Sequence, residues 1–381
     1  QRFAFFVDQG ANIGYALLAA VPVVYQGLRG RIPKEAWEFP QRAFACMGLL
    51  DALATYCTSV GAVHTPGQLQ TVLGQLLIPV SMLASYVVLG TRYVLQEIAS
   101  STTVFLGACI AVGPAVLSGA SAGAWPPSIV IFAAGNLPSA LSGVFKESAF
   151  ADCELDVWLL TFTTTLYQIA FSFVLLLLQT LPYLSGSEEG MSLPKAWGDF
   201  VGGCACFVGA SPEDGQVDCS RAGLLLVAYV AVNLVFGLNG LLLLKVGSDS
   251  GIGQVLCSLA SAVKLPVSTV LFACPLIMGA GAERTQPSTW AGLVFVLVGF
   301  VWHIRAAGPG DQQQALQPVM SRTFTMLGPA GPHRPFLPPL TESMPPRART
   351  AGAIFGTRSP FGGYDEGALQ ARLMKVPSAS F

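Results

Sequence analysis

The sequence predicts an all-α membrane protein, an inverted-repeat bundle in which nine transmembrane helices of an expected ten are present. Three observations indicate this class: an apolar composition, nine long apolar stretches, and a proline-broken segment that occurs twice. Hydrophobic residues make up 52% of the 381 residues and charged residues only 11%, and the mean hydropathy is +0.59. A soluble domain carries about 25% charged residues, so the expected solvent is a lipid bilayer.

Nine stretches are long enough to cross the hydrocarbon core, which takes about 20 mostly apolar residues. They are too long and too uniformly apolar for the alternating pattern of a membrane barrel. In chain order, the predicted spans h1 to h9 are residues 11–28, 43–63, 67–89, 99–118, 127–145, 157–180, 222–244, 251–278 and 287–304.

The positions of lysine and arginine orient these spans. Fifteen of the 20 lie in the connections after h1, h3, h5 and h7 or in the tail after h9, and four lie on the opposite side. Positive residues accumulate in cytosolic connections. We therefore expect the C-terminus in the cytosol and Gln1 on the far side.

The doubled segment reads QLLIPVSMLASYVVL at residues 75–89 in h3 and AVKLPVSTVLFACPL at residues 262–276 in h8. The two spans are five apart, so the copies cross the membrane in opposite directions, as in transporters with inverted repeats. The proline helix is fourth of five in the second half but third of four in the first. We therefore expect one further helix before h1. Chance similarity between apolar helices is the alternative.

The prolines of the doubled segment, Pro79 and Pro266, predict freed backbone groups. A proline inside a helix lacks an N–H and frees the carbonyl four residues earlier, here at Gln75 and Ala262. Such carbonyls are tolerated where they face a wet cavity. A plain packing kink is the alternative.

Two ionisable residues lie at membrane depth. Lys264, near the middle of h8 with Ser268 on its face, is costly to bury, so we expect it to attract a carboxylate or another anionic group of a substrate. Snorkelling to a boundary is the alternative. Asp51 in h2 could pair with Lys264, carry a coupling proton, or act as a neutral structural acid.

Further polar residues allow two interpretations each. The h6 stripe of threonines, which includes Thr165, and Gln168 could line a cavity or join helices. Lys146 and Glu147 end h5 on the cytosolic side and could form a gate or an interfacial anchor.

The chain divides into a transmembrane domain, 1–304, with halves 1–118 and 127–304, and a proline-rich remainder. The remainder, 307–381, lacks apolar periodicity and is a predicted disordered cytosolic tail. The non-cytosolic loop 181–221 contains three cysteines, and in an oxidising compartment it could close a disulfide.

Within that loop we predict the disulfide Cys206–Cys219. No motif indicates an enzyme, a metal site or a cofactor, and the net charge of −1 gives no sign of nucleic-acid binding. We therefore expect neither enzymatic activity nor a nucleic-acid partner.

Several stretches resemble the chloroquine-resistance-transporter-like family of the drug/metabolite transporter superfamily. The main one is LLDALATYCTSVGAVHTPGQLQTVLGQLLIPVSML at residues 49–83, with the ordered run Asp51, Gln70, Gln75, Pro79 and Ser81. The other resembling stretches are FKESAF at 145–150, LLLQTLPYL at 176–184, the cysteine loop at 202–219 and the start of NLVFGLNG at Asn233.

The resemblance implies ten helices, both termini in the cytosol, a cavity between the halves, and a vacuolar, other endomembrane or plastid envelope location. We expect a secondary transporter of amino acids, short peptides or thiols that works by alternating access, with proton coupling in some relatives. A sugar-phosphate or nucleotide-sugar carrier and a non-transporting scaffold are the alternatives. The assigned substrate and coupling residues are Lys264, Asp51, Gln75, Pro79, Ser81, Pro266, Ser268, Gln168 and Thr165, with Lys146 and Glu147 as gate.

Overall fold

The computed structural model describes residues 3–63, 65, 67–117, 126–181, 190–210, 219–248, 253–262, 271, 274–278 and 287–306. Over these residues the chain is helical and contains no strand. The helices are α1 (Ala4–Leu28), α2 (Lys34–Trp37), α3 (Gln41–Ala62), α4 (Gly67–Gly74), α5 (Leu77–Leu89), α6 (Leu95–Leu117), α7 (Pro126–Ala134), α8 (Asn136–Asp152), α9 (Val157–Leu175), α10 (Leu193–Phe207), α11 (Ala222–Gly247), α12 (Gly253–Ala262), α13 (Pro275–Met278) and α14 (Pro287–Ala306).

Six helical segments are long and apolar enough to cross a membrane, which confirms an integral membrane protein built from helices. They are Phe5–Leu28, Gln41–Ala62, Leu69–Leu89, Ser128–Asp152, Val157–Leu178 and Ala222–Gly247. Shorter apolar helices at Leu95–Ala111 and Pro287–His303 correspond to h4 and h9. Only parts of h8 fall within the described residues, so the count of nine spans out of ten stays a prediction. The tail 307–381 lies outside the described residues.

Span h3, which holds the first copy of the doubled segment, is two helices rather than one kinked helix. α4 ends at Gly74, and α5 begins at Leu77, so Pro79 lies in the first turn of α5. A first turn has no intrahelical acceptor for its N–H groups, and proline is therefore tolerated there. The Gln75 carbonyl accepts a hydrogen bond from the Ile78 N–H at 3.1 Å. The expectation of a freed carbonyl at Gln75 was therefore wrong. The same expectation for the Ala262 carbonyl stays a prediction, because Pro266 lies outside the described residues.

Three pairs of helices that lie five spans apart contact each other. α1 packs on α9, α5 on α12 and α6 on α14, which correspond to the pairs h1–h6, h3–h8 and h4–h9. Elements related by a twofold axis meet directly where they lie near that axis. The packing is therefore compatible with the predicted inverted repeat.

The contact between α6 and α14 brings two backbones together at glycines. A Cβ atom built on Gly107 would lie 2.8 Å from the Gly292 carbonyl oxygen, and one on Gly292 would lie 2.5 Å from the Gly107 carbonyl oxygen. Val104 and Val296 are buried beside them. Small residues permit this close approach in membrane bundles, and we call this contact the glycine seam.

Replacing Gly292 with valine is expected to lower the free energy of unfolding in detergent by about 2 kcal/mol, because overpacking forces the helices apart. The readout is unfolding by a denaturing detergent in mixed micelles. Gly237→Val is the matched control, since a Cβ atom there meets nothing within 4 Å. Equal stability of the two variants would show that the seam tolerates a side chain.

α10 lies across one end of the bundle and is covalently held there. The structure joins the predicted pair, Cys206 in α10 and Cys219 before α11, with an S–S distance of 2.07 Å. The ring of Phe200 lies 5.7 Å from that of Phe5 and 5.9 Å from that of Phe173. α10 thus packs on the N-terminal end of α1 and the C-terminal end of α9, and we call this end of the bundle the α10 side.

Candidate functional site

A polar cavity with a volume of about 390 Å³ lies inside the bundle. Both predicted halves contribute to its lining, through α1, α3 and α5 from the first and α8, α9, α11 and α12 from the second. Its polar lining side chains include Tyr15, Asp51, Thr55, Ser139, Lys146, Thr161, Thr164, Thr165, Gln168, Asn233 and Gln254.

An ion pair lies in the wall of this cavity. Lys146 Nζ donates to Asp51 Oδ2 at 2.6 Å, and Ser142 Oγ donates to Asp51 Oδ1 at 2.6 Å. The two donors are four residues apart on α8, so both face the middle of α3. The side chains of Lys146 and Asp51 are 16% and 21% exposed, which places the pair largely away from bulk solvent.

The partner of Asp51 in this pair differs from the one considered from the sequence. Its cationic partner among the described residues is Lys146, whereas Lys264 lies outside them together with Pro266 and Ser268. Lys146 therefore reaches into the bundle rather than ending a span at its boundary. The anchor interpretation of Lys146 was wrong, because α8 continues to Asp152.

Glu147 faces a different neighbour from Lys146, as adjacent helical residues do. Its side chain is 0% exposed, and its two carboxylate oxygens accept the N–H groups of Gly253 at 2.7 Å and Gln254 at 2.9 Å. Those N–H groups begin α12 and have no intrahelical acceptor. Glu147 thus caps α12, which makes it part of the α8–α12 contact.

The α9 stripe lines the cavity with all four of its polar residues, including Thr165 and Gln168. Gln168 Nε2 donates to Thr55 Oγ1 on α3 at 3.1 Å, while Thr164 Oγ1 donates to the Leu160 carbonyl at 2.6 Å. The stripe therefore serves both of the functions that the sequence left open, because it lines the cavity and joins α9 to α3.

Three other assigned residues are not part of the lining that the structure describes for the polar cavity. Gln75 is buried, and its Nε2 donates to the Thr71 carbonyl at 3.2 Å. Ser81 shares a hydrogen bond with Ser258 of α12 at 3.0 Å. Pro79 lines a separate groove between α5 and α6. These three residues of the first copy thus lie in helix contacts or in the separate groove, whereas Leu77 of the same copy lines the polar cavity.

Several lining residues were not assigned from the sequence, among them Asn233 and Gln254. Asn233 of α11 faces the cavity while its Nδ2 donates to the Tyr229 carbonyl at 3.0 Å, and Gln254 enters at the start of α12. A single amide in an apolar helix was the available signal, but it does not reveal which side of the helix faces the cavity. Across the described residues, no three His, Cys, Asp or Glu side chains form a cluster that could hold a metal ion.

Comparison with known proteins gives concordant matches. A family model described as CRT-like, chloroquine-resistance transporter-like, matches residues 1–303. Crt homolog 1 of Dictyostelium discoideum is 29% identical over 87% of this chain and 73% of that protein. The chloroquine resistance transporter of Toxoplasma gondii is 30% identical over 75% of this chain and 33% of that protein. Protein CLT2, chloroplastic, of Arabidopsis thaliana is 25% identical over 82% of this chain and 71% of that protein.

The family match begins before α1 and ends within α14, so it covers the whole helical bundle with the polar cavity inside it. It also confirms the resemblance found at residues 49–83 and in the shorter stretches. The chain belongs to the CRT-like, chloroquine-resistance-transporter-like family.

Proposed function

We propose that this protein is a secondary transporter that moves amino acids, short peptides or thiols by alternating access across an intracellular membrane. The observation that carries the proposal is the polar cavity, which holds a charged pair within an apolar bundle. Ionisable side chains at membrane depth are costly and are retained mainly for function. A volume of about 390 Å³ falls within the range of small-molecule sites, about 300–1,000 Å³.

The packing of the helices supports alternating access. Each of α1, α5 and α6 contacts the helix five spans later, and the cavity is lined by both halves. Transporters with inverted repeats bind substrate at the interface of the repeats and expose it by rocking one against the other. We infer the same arrangement here, with residues 1–118 and 127–304 as the two halves.

The chemistry of the lining favours a solute with charges of both signs. Lys146 offers three N–H donors and Asp51 offers carboxylate acceptors, with Lys146 Nζ and Asp51 Oδ2 2.6 Å apart. A carboxylate of the solute can replace Asp51 at Lys146, while its ammonium replaces Lys146 at Asp51. Both charges of the pair then stay compensated. Three further residues remain proposed members of the site: Lys264, Pro266 and Ser268. Lys264 would add a further cation.

The location follows as part of the proposal. We infer a vacuolar, other endomembrane or plastid envelope membrane with the C-terminus in the cytosol. The Arabidopsis relative is named protein CLT2, chloroplastic, and this supports a location in the plastid envelope. The excess of lysine and arginine in the connections and the tail supports the orientation.

Replacing Gln168 with leucine is expected to reduce the initial rate of solute uptake about fivefold, because the cavity loses an amide worth about 1 kcal/mol in hydrogen bonding. Purified protein in proteoliposomes would be given radiolabelled arginine, a dipeptide and glutathione in turn. Asn239→Leu is the matched control, since Asn239 on α11 is exposed and its amide donates within its own helix.

Two results would contradict the proposal. One is uptake by the wild-type protein no faster than by empty vesicles for every solute in the panel. The other is a Gln168→Leu rate equal to that of Asn239→Leu, which would remove the polar cavity from the transport path. Lys264→Leu in the same assay tests the proposed further cation, and it should also slow uptake.

A further inference from the structure

A second pocket lies beside the polar cavity, towards the α10 side. It has a volume of about 140 Å³ and is enclosed by α1, α3, α9 and α10. We call it the Asp8 pocket, after the carboxylate in its wall. Thr55 lines both this pocket and the polar cavity, so the two spaces adjoin at α3.

Asp8 has a neutral hydrogen-bond partner. It lies one turn inside the membrane-spanning part of α1, and Ser59 Oγ of α3 donates to its Oδ2 at 2.5 Å. Among the described residues that line this pocket, there is no lysine or arginine. The titratable groups near Asp8 are Tyr56 of α3, Asp199 of α10, Tyr15 of α1 and Tyr229 of α11. None of these supplies a positive charge, so an ionised Asp8 would be poorly compensated.

Gln9 adds to this pocket a polar group that lacks a donor. Its side chain is 1% exposed and lines the same pocket. Within the described part of the chain, its Oε1 accepts no hydrogen bond. A buried acceptor without a donor is costly. A positively charged hydrogen-bond donor would therefore stabilise both the Asp8 carboxylate and the Gln9 amide oxygen. The pocket is large enough to hold water.

A ladder of polar residues on α3 links the two spaces. Asp51, Thr55 and Ser59 are spaced by four residues and so lie on one face, with about 6 Å of rise between successive members. Each is bonded to a different helix: Asp51 to Lys146 on α8, Thr55 to Gln168 on α9, and Ser59 to Asp8 on α1. Asp51 at one end has a cation and a hydroxyl as donors, whereas Asp8 at the other end has a hydroxyl.

We propose that Asp8 is the site that binds the coupling proton of the transport cycle, taking it from water on the α10 side. Protonation neutralises the Asp8 carboxylate and supplies the missing donor. The carboxylic acid O–H can then donate a hydrogen bond to Ser59 Oγ or to Gln9 Oε1. A change in the hydrogen bond between Ser59 and Asp8 would shift α3, which also carries Thr55. The Thr55 hydroxyl accepts a hydrogen bond from Gln168 in the wall of the polar cavity. This inference rests on the proposed transport function and assigns proton coupling to Asp8 rather than to Asp51.

The first experiment separates coupling from solute movement. In proteoliposomes, Asp8→Asn should exchange radiolabelled solute for unlabelled solute at a rate close to that of the wild type. It should lose the accumulation that an imposed pH gradient drives. A gradient of about one pH unit supports up to about tenfold accumulation for one coupled proton, because 1.4 kcal/mol is a factor of ten.

Asp8→Glu and Asp199→Asn are the controls. Glutamate keeps a protonatable group, and Asp199→Asn removes a carboxylate from the same pocket without touching the ladder, so both should keep gradient-driven accumulation. Accumulation by Asp8→Asn equal to that of the wild type would overturn the proposal. So would an equal loss in Asp199→Asn, since the effect would then belong to the pocket rather than to Asp8.

The second experiment does not depend on transport. Dicyclohexylcarbodiimide adds to protonated carboxyls in apolar surroundings, and peptide mass spectrometry locates the adduct. We expect modification of Asp8 that falls as the pH rises, and little modification of Asp51, whose two oxygens accept hydrogen bonds from Ser142 and Lys146. An unmodified Asp8 at every pH would overturn the proposal. If the wild type moves no solute, the proposed function fails while this reaction still decides the protonation of Asp8.

Discussion

Replacing Glu147 with alanine is expected to lower the free energy of unfolding in detergent by about 4 kcal/mol, because two hydrogen bonds to a charged acceptor contribute about 1.5–3 kcal/mol each. The loss leaves the N–H groups of Gly253 and Gln254 without acceptors at the start of α12, where Glu147 is 0% exposed. The negative charge also favours that helix end electrostatically. Unfolding by a denaturing detergent in mixed micelles gives the measurement.

Two further variants test the cause of this loss. Glu147→Gln keeps one oxygen acceptor and should lie between the wild type and Glu147→Ala. Glu154→Ala removes an exposed carboxylate and should leave stability almost unchanged. If Glu147→Ala behaves like Glu154→Ala, Glu147 does not cap α12.

Replacing Lys146 with methionine is expected to cost about 3 kcal/mol of unfolding free energy, because removing one partner of a buried ion pair leaves an uncompensated charge. Methionine fills a similar volume, so the loss reports the charge on Asp51 rather than a cavity. The figure lies at the low end of the range for buried pairs, since the two side chains keep 16% and 21% of their exposure.

The double variant Asp51→Asn/Lys146→Met should recover most of that loss, because it removes both charges together. A double-mutant cycle with the two single variants gives their interaction free energy. A double variant less stable than Lys146→Met would mean that the two losses simply add and that the pair is not formed. Both charges line the cavity, so we expect the double variant to fold but to transport poorly.

The starts of three spans were predictable within two residues. α3, α9 and α11 begin within two residues of h2, h6 and h7, because their apolar stretches end at polar turns. The predictions fell short where a polar residue is compensated inside the bundle. h5 was ended at residue 145, yet α8 runs on to Asp152, since Lys146 and Glu147 both have buried partners.

The same reasoning explains what was missed at the first helix. h1 was begun at residue 11, whereas α1 begins at Ala4, because Asp8 and Gln9 lowered the apparent hydropathy of the first turns. Hydropathy sums residues along the chain and does not register a hydrogen bond between helices, such as the one from Ser59 to Asp8. The cavity lining depends on such pairs, so among the described lining residues the α9 stripe, Asp51 and Lys146 were the ones assigned from the sequence.

The glycine seam constrains how this bundle can rearrange. Two backbones that meet without intervening side chains have no alternative rotamers through which to slide past one another. We therefore expect α6 and α14, one from each half, to keep this contact as the pivot about which the halves rock, so that the larger displacements of any transport cycle occur among the remaining helices. A stiff contact between α6 and α14 would give the other helices a fixed point about which to move.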